Sequence, residues 1–542
     1  MARRTTGQVI VDSLIAHGVD TIFGIPGVHT YDLIDAIHER SNQIRFIATR
    51  HEQGAGYMAY GYARSTGRVG VYTVVPGPGM LNSSAALATA LGAGAPVLCV
   101  TGEIMSDFIG KGRGQLHELP DQLATMRSFT KWAERIDGPT QAAAVVDRAF
   151  VEMLSGRRGP AAIEAPWDVF GLEDEVPDGN DVSLPANPPV DAAAVVAAAD
   201  MIAAATKPMI MVGAGAMHAG DEVLALAELL QAPVTSHRSG KGVVSDANPL
   251  AISSYAAWSM FADVDLIIGI GSRLELPHMR WKWQPDGQRT IRIDVDPTEM
   301  KRLPADIGIV ADATDGTAEL LDALRERIEP RASRADEFDA ASAAAREAYE
   351  VVQPQLSYLD VIREVLPDDG FFVEEICQSG FTARFGFPVY EPRTYVTGGY
   401  QENLGYGYGT ALGVKVANPD RAVVAITGDG GFLFGAQELA TAVQNNIGVV
   451  VVVFDNSSFG NVLRDQTSRY QGRLLGSELT NPDFVAMGEA YGVDSAGVNT
   501  PDELRDALVN AIDSGGPALI TVNLEPGEEA SPWPFTRPGE AR

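Results

Sequence analysis

The sequence predicts an α/β protein made of three doubly wound, mainly parallel-sheet domains. Short apolar runs rich in Val and Ile recur along the chain without alternating with polar residues, as strands buried on both faces of a parallel sheet require. Helical patterns separate these runs from one end to the other, which is the α/β signature. The length of 542 residues leaves room for several cores.

Taken in order, the clearest strand candidates are 69–75 and 97–101, then 209–212 and 266–270, then 423–426, 448–454 and 518–522. Two stretches between them read as linkers. Residues 171–189 are rich in Asp, Glu, Pro and Asn and lack apolar periodicity, and 329–337 mix a proline with dense charge before an Ala-rich helical pattern. The cuts give units at 1–170, 190–330 and 353–535, one sheet each. The first and third share an outline, with a glycine-rich loop at the end of a buried strand.

Composition removes several classes of function. Lys plus Arg is 41 against 71 for Asp plus Glu, a net charge of −30. That balance argues against nucleic-acid or anionic-membrane binding, which need basic patches. It does not exclude an anionic small molecule, since a pocket can oppose the global sign. Only Cys99 and Cys377 occur, so there is neither a disulfide framework nor a zinc site. Basic residues near Met1 are followed by no apolar run, and the longest hydrophobic run, 447–454, is too short to span a bilayer. The expectation is a soluble, cytoplasmic protein.

The strongest chemical signal lies in the third unit. A buried strand at 423–427 runs straight into Gly428, Asp429, Gly430 and Gly431, and a second at 449–454 ends at Asp455, Asn456, Ser457 and Ser458. In a parallel sheet both loops lie at the C-terminal edge, where ligands bind. A carboxylate, an amide oxygen and a backbone carbonyl suit Mg²⁺, with phosphate oxygens completing an octahedron. Glycines let backbone N–H groups approach a diphosphate beside a helix start. Either loop alone is weak, because Gly-Asp-Gly by itself is a plain turn. The pair, with 25 residues between Gly430 and Asn456, is far more specific.

On these residues the chain resembles the thiamine diphosphate-dependent acetohydroxyacid synthase and 2-oxo acid decarboxylase family, over nearly its whole length. The resemblance implies a pyrimidine-binding domain, a central domain and a diphosphate-binding domain, in that order. It implies that Asp429, Asn456 and the Ser458 carbonyl hold Mg²⁺. Gly428, Gly430, Gly431, Gln378 and Ser379 would lie along the diphosphate, with Phe459 and Gly460 beside it.

The first unit supplies the partner motif, Arg50-His51-Glu52-Gln53-Gly54-Ala55-Gly56-Tyr57, where a strand passes into a helix. Family members place a glutamate here against N1′ of the aminopyrimidine. A carboxylate at N1′ favours the 4′-imino tautomer, whose nitrogen removes the thiazolium C2 proton to give the ylid. A lone Glu at a helix start is otherwise a favourable dipole contact. Gly54, Gly56 and Gly61 within the same helix destabilise it unless another surface packs very close. The loops containing Pro26 and Gly27, and Gly77 and Asn82, resemble those lining the cofactor and substrate channel. The segment 399–407 resembles the one that bends the cofactor, with Leu404 as the wedge between its rings and the Glu402 carbonyl accepting from the 4′-amino group. The family commonly has Gly at the place of Glu402. Its carboxylate either steers substrate, accepts a proton or points to solvent.

His29 and His117 are the acid–base candidates, with a structural role as the alternative for each. Acetohydroxyacid synthases tend to carry Gln-Glu where this chain has His117-Glu118, and His suits protonation near neutrality. They also carry a Gln-Trp pair near Arg464-Asp465, absent here; Arg464 could pair with a substrate carboxylate or with Asp465. In the central unit, loops at 212–216 and 269–273 have glycine patterns that relatives use for FAD or ADP, or leave empty. A lone Gly-x-Gly is weak, and an empty site is the preferred reading.

The expected reaction is decarboxylation of a 2-oxo acid to an enamine, followed by protonation or addition to a second carbonyl compound. Rivals are an acetolactate synthase-like or flavin-assisted enzyme and, in another class, a catalytically silent cofactor-binding protein. Because Glu52 and Asp429 lie in different units, the resemblance implies a homodimer or homotetramer with sites at the subunit interface.

Overall fold

The computed structural model describes residues 2–176 and 184–541. Three parallel sheets organise them. The first contains β2 (Thr21–Gly24), β3 (Arg45–Ala48), β4 (Gly70–Val74), β5 (Val97–Glu103), β6 (Trp132–Arg135) and β7 (Ala161–Pro166), in the order β3-β2-β4-β5-β7-β6. The second contains β9 (Pro208–Val212), β10 (Val234–Thr235), β11 (Leu266–Ile270), β12 (Arg289–Asp294) and β13 (Ile307–Val310), in the order β10-β9-β11-β12-β13. The third contains β14 (Phe371–Glu374), β15 (Tyr395–Val396), β16 (Val423–Gly428), β17 (Val450–Asp455), β18 (Asp494–Val498) and β19 (Ala518–Asn523), in the order β15-β14-β16-β17-β19-β18. The expected α/β class with three mainly parallel sheets is borne out. The central strands β4, β5, β11, β16 and β17 are buried almost throughout, which is why their sequences run apolar without alternation.

The first and third sheets have the same topology. Each reverses its winding between its first and third strands, at β2/β4 and at β14/β16. A crevice opens at such a switch point, beyond the C-terminal strand ends. The loops singled out in the first and third units fall at or beside these two crevices.

One small sheet was not expected. Residues Glu173–Val176 form β8 and pair antiparallel with β1 (Ala2–Thr5), in the register Thr5↔Glu173. This lies in a stretch read as a linker because it is acidic and aperiodic. Backbone pairing holds it, with Arg3 3.3 Å from Glu173; the remainder of that stretch at 177–183 lies outside the described residues. The Ala-rich helix expected after the second linker is present at Ala335–Tyr349.

The outer domains pack on each other through helices Glu52–Thr66 and Gly407–Ala417, and one continuous core runs across both. Glycine makes the approach possible. A Cβ on Gly61 would overlap the Thr410 carbonyl, and one on Gly413 would overlap the Met58 carbonyl. Among the described residues no helix is long and apolar enough to cross a membrane.

Candidate active site

At the crevice of the third sheet, Asp429 follows β16 and is almost fully buried. Its Oδ1 accepts the Gly430 N–H at 2.8 Å, and its Oδ2 accepts from Ser458 N–H at 3.1 Å and Asn481 Nδ2 at 2.7 Å. Burial, with Asp455 nearby, pushes the Asp429 carboxyl up to about 6. Asn456 follows β17, and its Oδ1 accepts from the Ser458 N–H at 3.0 Å and the Ser458 hydroxyl at 2.9 Å. The structure thus brings Asp429, Asn456 and Ser458 together, and their oxygen donors are those a hard divalent cation takes.

Beside them lies a cradle for an anion. Gln378 and Ser379 open the helix Gln378–Gly386, which follows β14 across the switch point. The Ser379 hydroxyl is buried without a partner, and so is Nη1 of Arg464. The predicted pairing of Arg464 with Asp465 does not occur: its Nη2 donates to Gln378 Oε1 at 2.8 Å, and the Asp465 carboxylate instead faces Arg469 at 3.6 Å. A Cβ on Gly430 would strike the Phe459 ring, and one on Gly460 would meet Asn456 Nδ2 at 3.0 Å. The orphaned donors and the helix N-terminus fit a diphosphate with its metal.

Glu52 begins the helix Glu52–Thr66 at the edge of the first sheet. It is half-buried, and Oε2 accepts from Asn82 Nδ2 at 3.1 Å. A Cβ on Gly79 would lie 3.5 Å from Glu52 Oε1, in contact with it. The loop before Glu52 is held from the third domain: the buried Glu438 carboxylate accepts Arg50 N–H at 3.1 Å and His51 N–H at 2.9 Å.

The loops after β2 and β4 meet at the first sheet's switch point. His29 is buried, its ring stacked 4.8 Å from that of His117 and tilted against Trp167 at 5.3 Å, with Nε2 3.1 Å from the Leu116 carbonyl. Burial, and then His117, lower the His29 pKa. His117 sits at φ 68°, a left-handed conformation. Gly77 passes against the His117 backbone too closely for any Cβ. Gly77 N–H also donates to Gln122 Oε1 at 2.8 Å. Pro26 is exposed at the same edge and Gly27 half-exposed.

The segment around Leu404 is anchored on both sides of it. Gly405 N–H and Gly407 N–H donate to the buried Glu375 carboxylate, the latter at 3.2 Å. Asn403 accepts from the Thr89 hydroxyl at 3.1 Å. The Glu402 carboxylate does not simply point to solvent, one of the alternatives the sequence left open. It is turned into guanidinium groups: Arg384 at 2.8 Å, Arg280 at 3.5 Å, and Arg238.

Comparison with known proteins gives the two crevices a common identity. Three family models match in chain order: the thiamine pyrophosphate enzyme N-terminal TPP binding domain over 4–125, the central domain over 195–324 and the C-terminal TPP binding domain over 375–522. A "Probable 2-ketoarginine decarboxylase" of Pseudomonas aeruginosa is 34% identical over 528 residues, covering 95% of this chain and 93% of that one. This chain belongs to the thiamine pyrophosphate enzymes. A "Probable acetolactate synthase large subunit" of Methanocaldococcus jannaschii is 33% identical, covering 98% and 93%. The acetolactate synthase large subunit of Haemophilus influenzae is 30% identical, covering 98% and 96%. The resemblance to the acetohydroxyacid synthase and 2-oxo acid decarboxylase branch is therefore borne out.

In this thiamine pyrophosphate enzyme the central sheet carries a cleft of its own. Its glycine loops interlock, since a Cβ on Gly213 would overlap the Gly271 carbonyl; close packing alone accounts for those glycines. The cleft is lined by Arg157, Arg273, Arg393, Asp294, Asp312 and Tyr400. Burial and the neighbouring Arg64 and Arg158 push the Arg393 guanidinium down to about 10, while Arg273 and Arg157 lie 3.2 Å and 3.9 Å from Glu299.

Sequence reading missed four residues of the enzyme: Glu375, Glu438, Gln122 and Asn481. A fifth is Glu529, whose carboxylate accepts from Asn456 Nδ2 at 2.5 Å. Each acts through contacts distant in sequence, so no local motif announces it.

Proposed function

We propose that this thiamine pyrophosphate enzyme releases CO₂ from a 2-oxo acid, giving an aldehyde or joining the remaining acyl unit to a second carbonyl compound. The observation that carries the reading is the pair of half-sites. One holds Glu52 with Asn82, and the other holds Asp429, Asn456 and Ser458 beside an anion cradle. The relatives named above support the 2-oxo acid. The C–C bond next to the carboxylate breaks, and a proton taken up at the former carbonyl carbon completes the aldehyde. When bound, thiamine diphosphate supplies the electron sink for that carbon.

The chain's own residues then take these roles. Asp429, Asn456 and the Ser458 carbonyl hold Mg²⁺. Gly428, Gly430, Gly431, Gln378 and Ser379 line the diphosphate, with Phe459 and Gly460 closing its flank. Glu52, steadied by Asn82, holds a proton at the pyrimidine ring, and Leu404 and the Glu402 carbonyl set the ring's place. Pro26, Gly27 and Gly77 shape the substrate edge, where His29 and His117 carry protons. These assignments presume domains at 1–170, 190–330 and 353–535.

The site is completed by a second subunit, in a homodimer or homotetramer. Among the described residues no hydrogen bond joins Glu52 to the metal loop of its own chain. Large apolar side chains stand exposed near both half-sites: Leu81 at 42% and Leu116 at 61% on one, Leu433 at 40% and Phe434 at 52% on the other. Such side chains mark surfaces that a partner covers.

The deciding experiment measures CO₂ release with Mg²⁺ and thiamine diphosphate. The panel is pyruvate, phenylpyruvate and 5-guanidino-2-oxopentanoate, each with and without an aldehyde acceptor. Turnover of at least one is expected. Cofactor binding with no release from any would make this a catalytically silent binding protein. The acetolactate synthase-like or flavin-assisted alternative is favoured by one observation, the central cleft lined by Arg157, Arg273 and Arg393, whose guanidiniums suit a dinucleotide's phosphates. Flavin absorbance in active protein supports it, and full activity in colourless protein rejects it.

A further inference from the structure

We infer that Glu402 is a positioning residue, whose carboxylate lets the central domain hold the cofactor-bending segment in place. This rests on the reading of Leu404 as the wedge and deepens it. Glu402 has φ 43°, a left-handed conformation that glycine adopts freely and other residues rarely do. An ordinary side chain there needs a compensating hold. Glu402 has one from two domains: Arg238 and Arg280 belong to the central domain and Arg384 to the helix after β14.

The hold is buried and balanced. Arg238, Arg280 and Arg384 are 3%, 8% and 2% exposed at the side chain. Arg238 and Arg280 share Glu275, with Arg238 Nη2 at 3.1 Å and Arg280 Nε at 2.9 Å, while Arg384 donates to Glu374 at 2.6 Å. Three guanidiniums thus meet three carboxylates. Without Glu402, one buried positive charge loses its counter-charge, which is strongly unfavourable.

Neighbouring residues are fixed by other means. Arg273 lies over the Tyr400 ring at 4.7 Å, Asn403 bonds Thr89, and Gly405 and Gly407 bond Glu375. Leu404 is the one aliphatic side chain within this anchored run. The ionic hold on Glu402 joins these contacts from other domains, and it is the charged one, two residues from the wedge.

The test uses full-length protein with Mg²⁺ and thiamine diphosphate, comparing wild type, Glu402→Gln, Arg238→Gln and the double variant. In each single variant the dissociation constant for thiamine diphosphate should rise about tenfold, the scale of one lost charged hydrogen bond. The near-ultraviolet circular dichroism of the bound aminopyrimidine should weaken, and kcat should fall with KM unchanged. The double variant should be no worse than either single one. Glu402→Asp, which keeps the charge, should recover most of the affinity and serves if the Gln variant does not fold. Wild-type affinity and dichroism in the variants would overturn the inference, even if melting temperature fell. So would a raised KM with unchanged cofactor affinity, which would assign Glu402 to the substrate. A wild-type protein that binds no thiamine diphosphate would instead undo the underlying functional reading.

Discussion

The Glu438 carboxylate accepts the His51 N–H at 2.9 Å, so the third domain of the chain fixes the backbone that presents Glu52. Glu438 also accepts the Arg50 N–H and the Thr441 hydroxyl, the latter at 2.6 Å. Glu438→Ala leaves two backbone N–H groups without their acceptor, at a stability loss of about 2–4 kcal/mol. Turnover should fall about tenfold through the displaced Glu52, with Mg²⁺ affinity unchanged. Urea unfolding, steady-state kinetics and metal titration check the three parts.

Glu52→Gln keeps the shape of the side chain and its contact with Asn82 but cannot exchange a proton. Turnover should drop by about a hundredfold or more, while calorimetry still detects cofactor and Mg²⁺ binding. Undiminished turnover would remove Glu52 from the proton path.

The sequence made legible what is local. Asp429, Asn456 and Ser458 sit on loops directly after buried strands, so run length and loop chemistry located them before any fold was known. The parallel sheets were visible for the same reason. What could not be read was pairing at long range: Arg238 meets Glu402 across 164 residues, and Arg50 meets Glu438 across 388. The left-handed backbone at Glu402 is equally silent in sequence, because it depends on arginines that another domain supplies. Strand β8 was passed over because acidic residues on an edge need no apolar face.

The glycines of the helix Glu52–Thr66 were read as a sign of close packing, and the structure shows what they pack against. Gly61→Ala would drive a methyl group into the Thr410 carbonyl. Backbone must move, so the variant should lose at least about 3 kcal/mol of stability, where a solvent-facing Gly→Ala in a helix gains about 1 kcal/mol. A stabilised variant in thermal unfolding would contradict this packing.

His29 and His117 stack at 4.8 Å, and His117 is among the causes that lower the His29 pKa, after burial. His29 is therefore neutral at pH 7, and protonates only below its ordinary value of 6.5. His117→Gln removes one lowering influence, so the His29 titration should move upward while burial keeps it below that value. Histidine-labelled NMR reads the shift directly. If neutral His29 is the working form, the acidic limb of kcat/KM moves to higher pH in the same variant; an unmoved limb would separate His29 from the rate.

Glu375 offers the clearest pH test, because burial pushes its carboxyl up to about 7 from an ordinary 4.5. The folded protein thus binds this proton more tightly than the unfolded chain does. Its contribution to stability is complete below pH 4.5 and is lost as pH rises through about 7. The difference amounts to about 3 kcal/mol. Glu375→Gln cannot titrate, so the stability of wild type minus that of the variant should fall by about this amount between pH 4.5 and pH 8. Taking the difference cancels the opposing slopes of buried histidines such as His29 and His237, whose pKa values are lowered. Urea unfolding of the cofactor-free protein at several pH values measures it. A flat difference would mean that the Gly405 and Gly407 N–H groups hold Glu375 ionised throughout, so that the wedge segment rests on a buried charge rather than on a carboxylic acid.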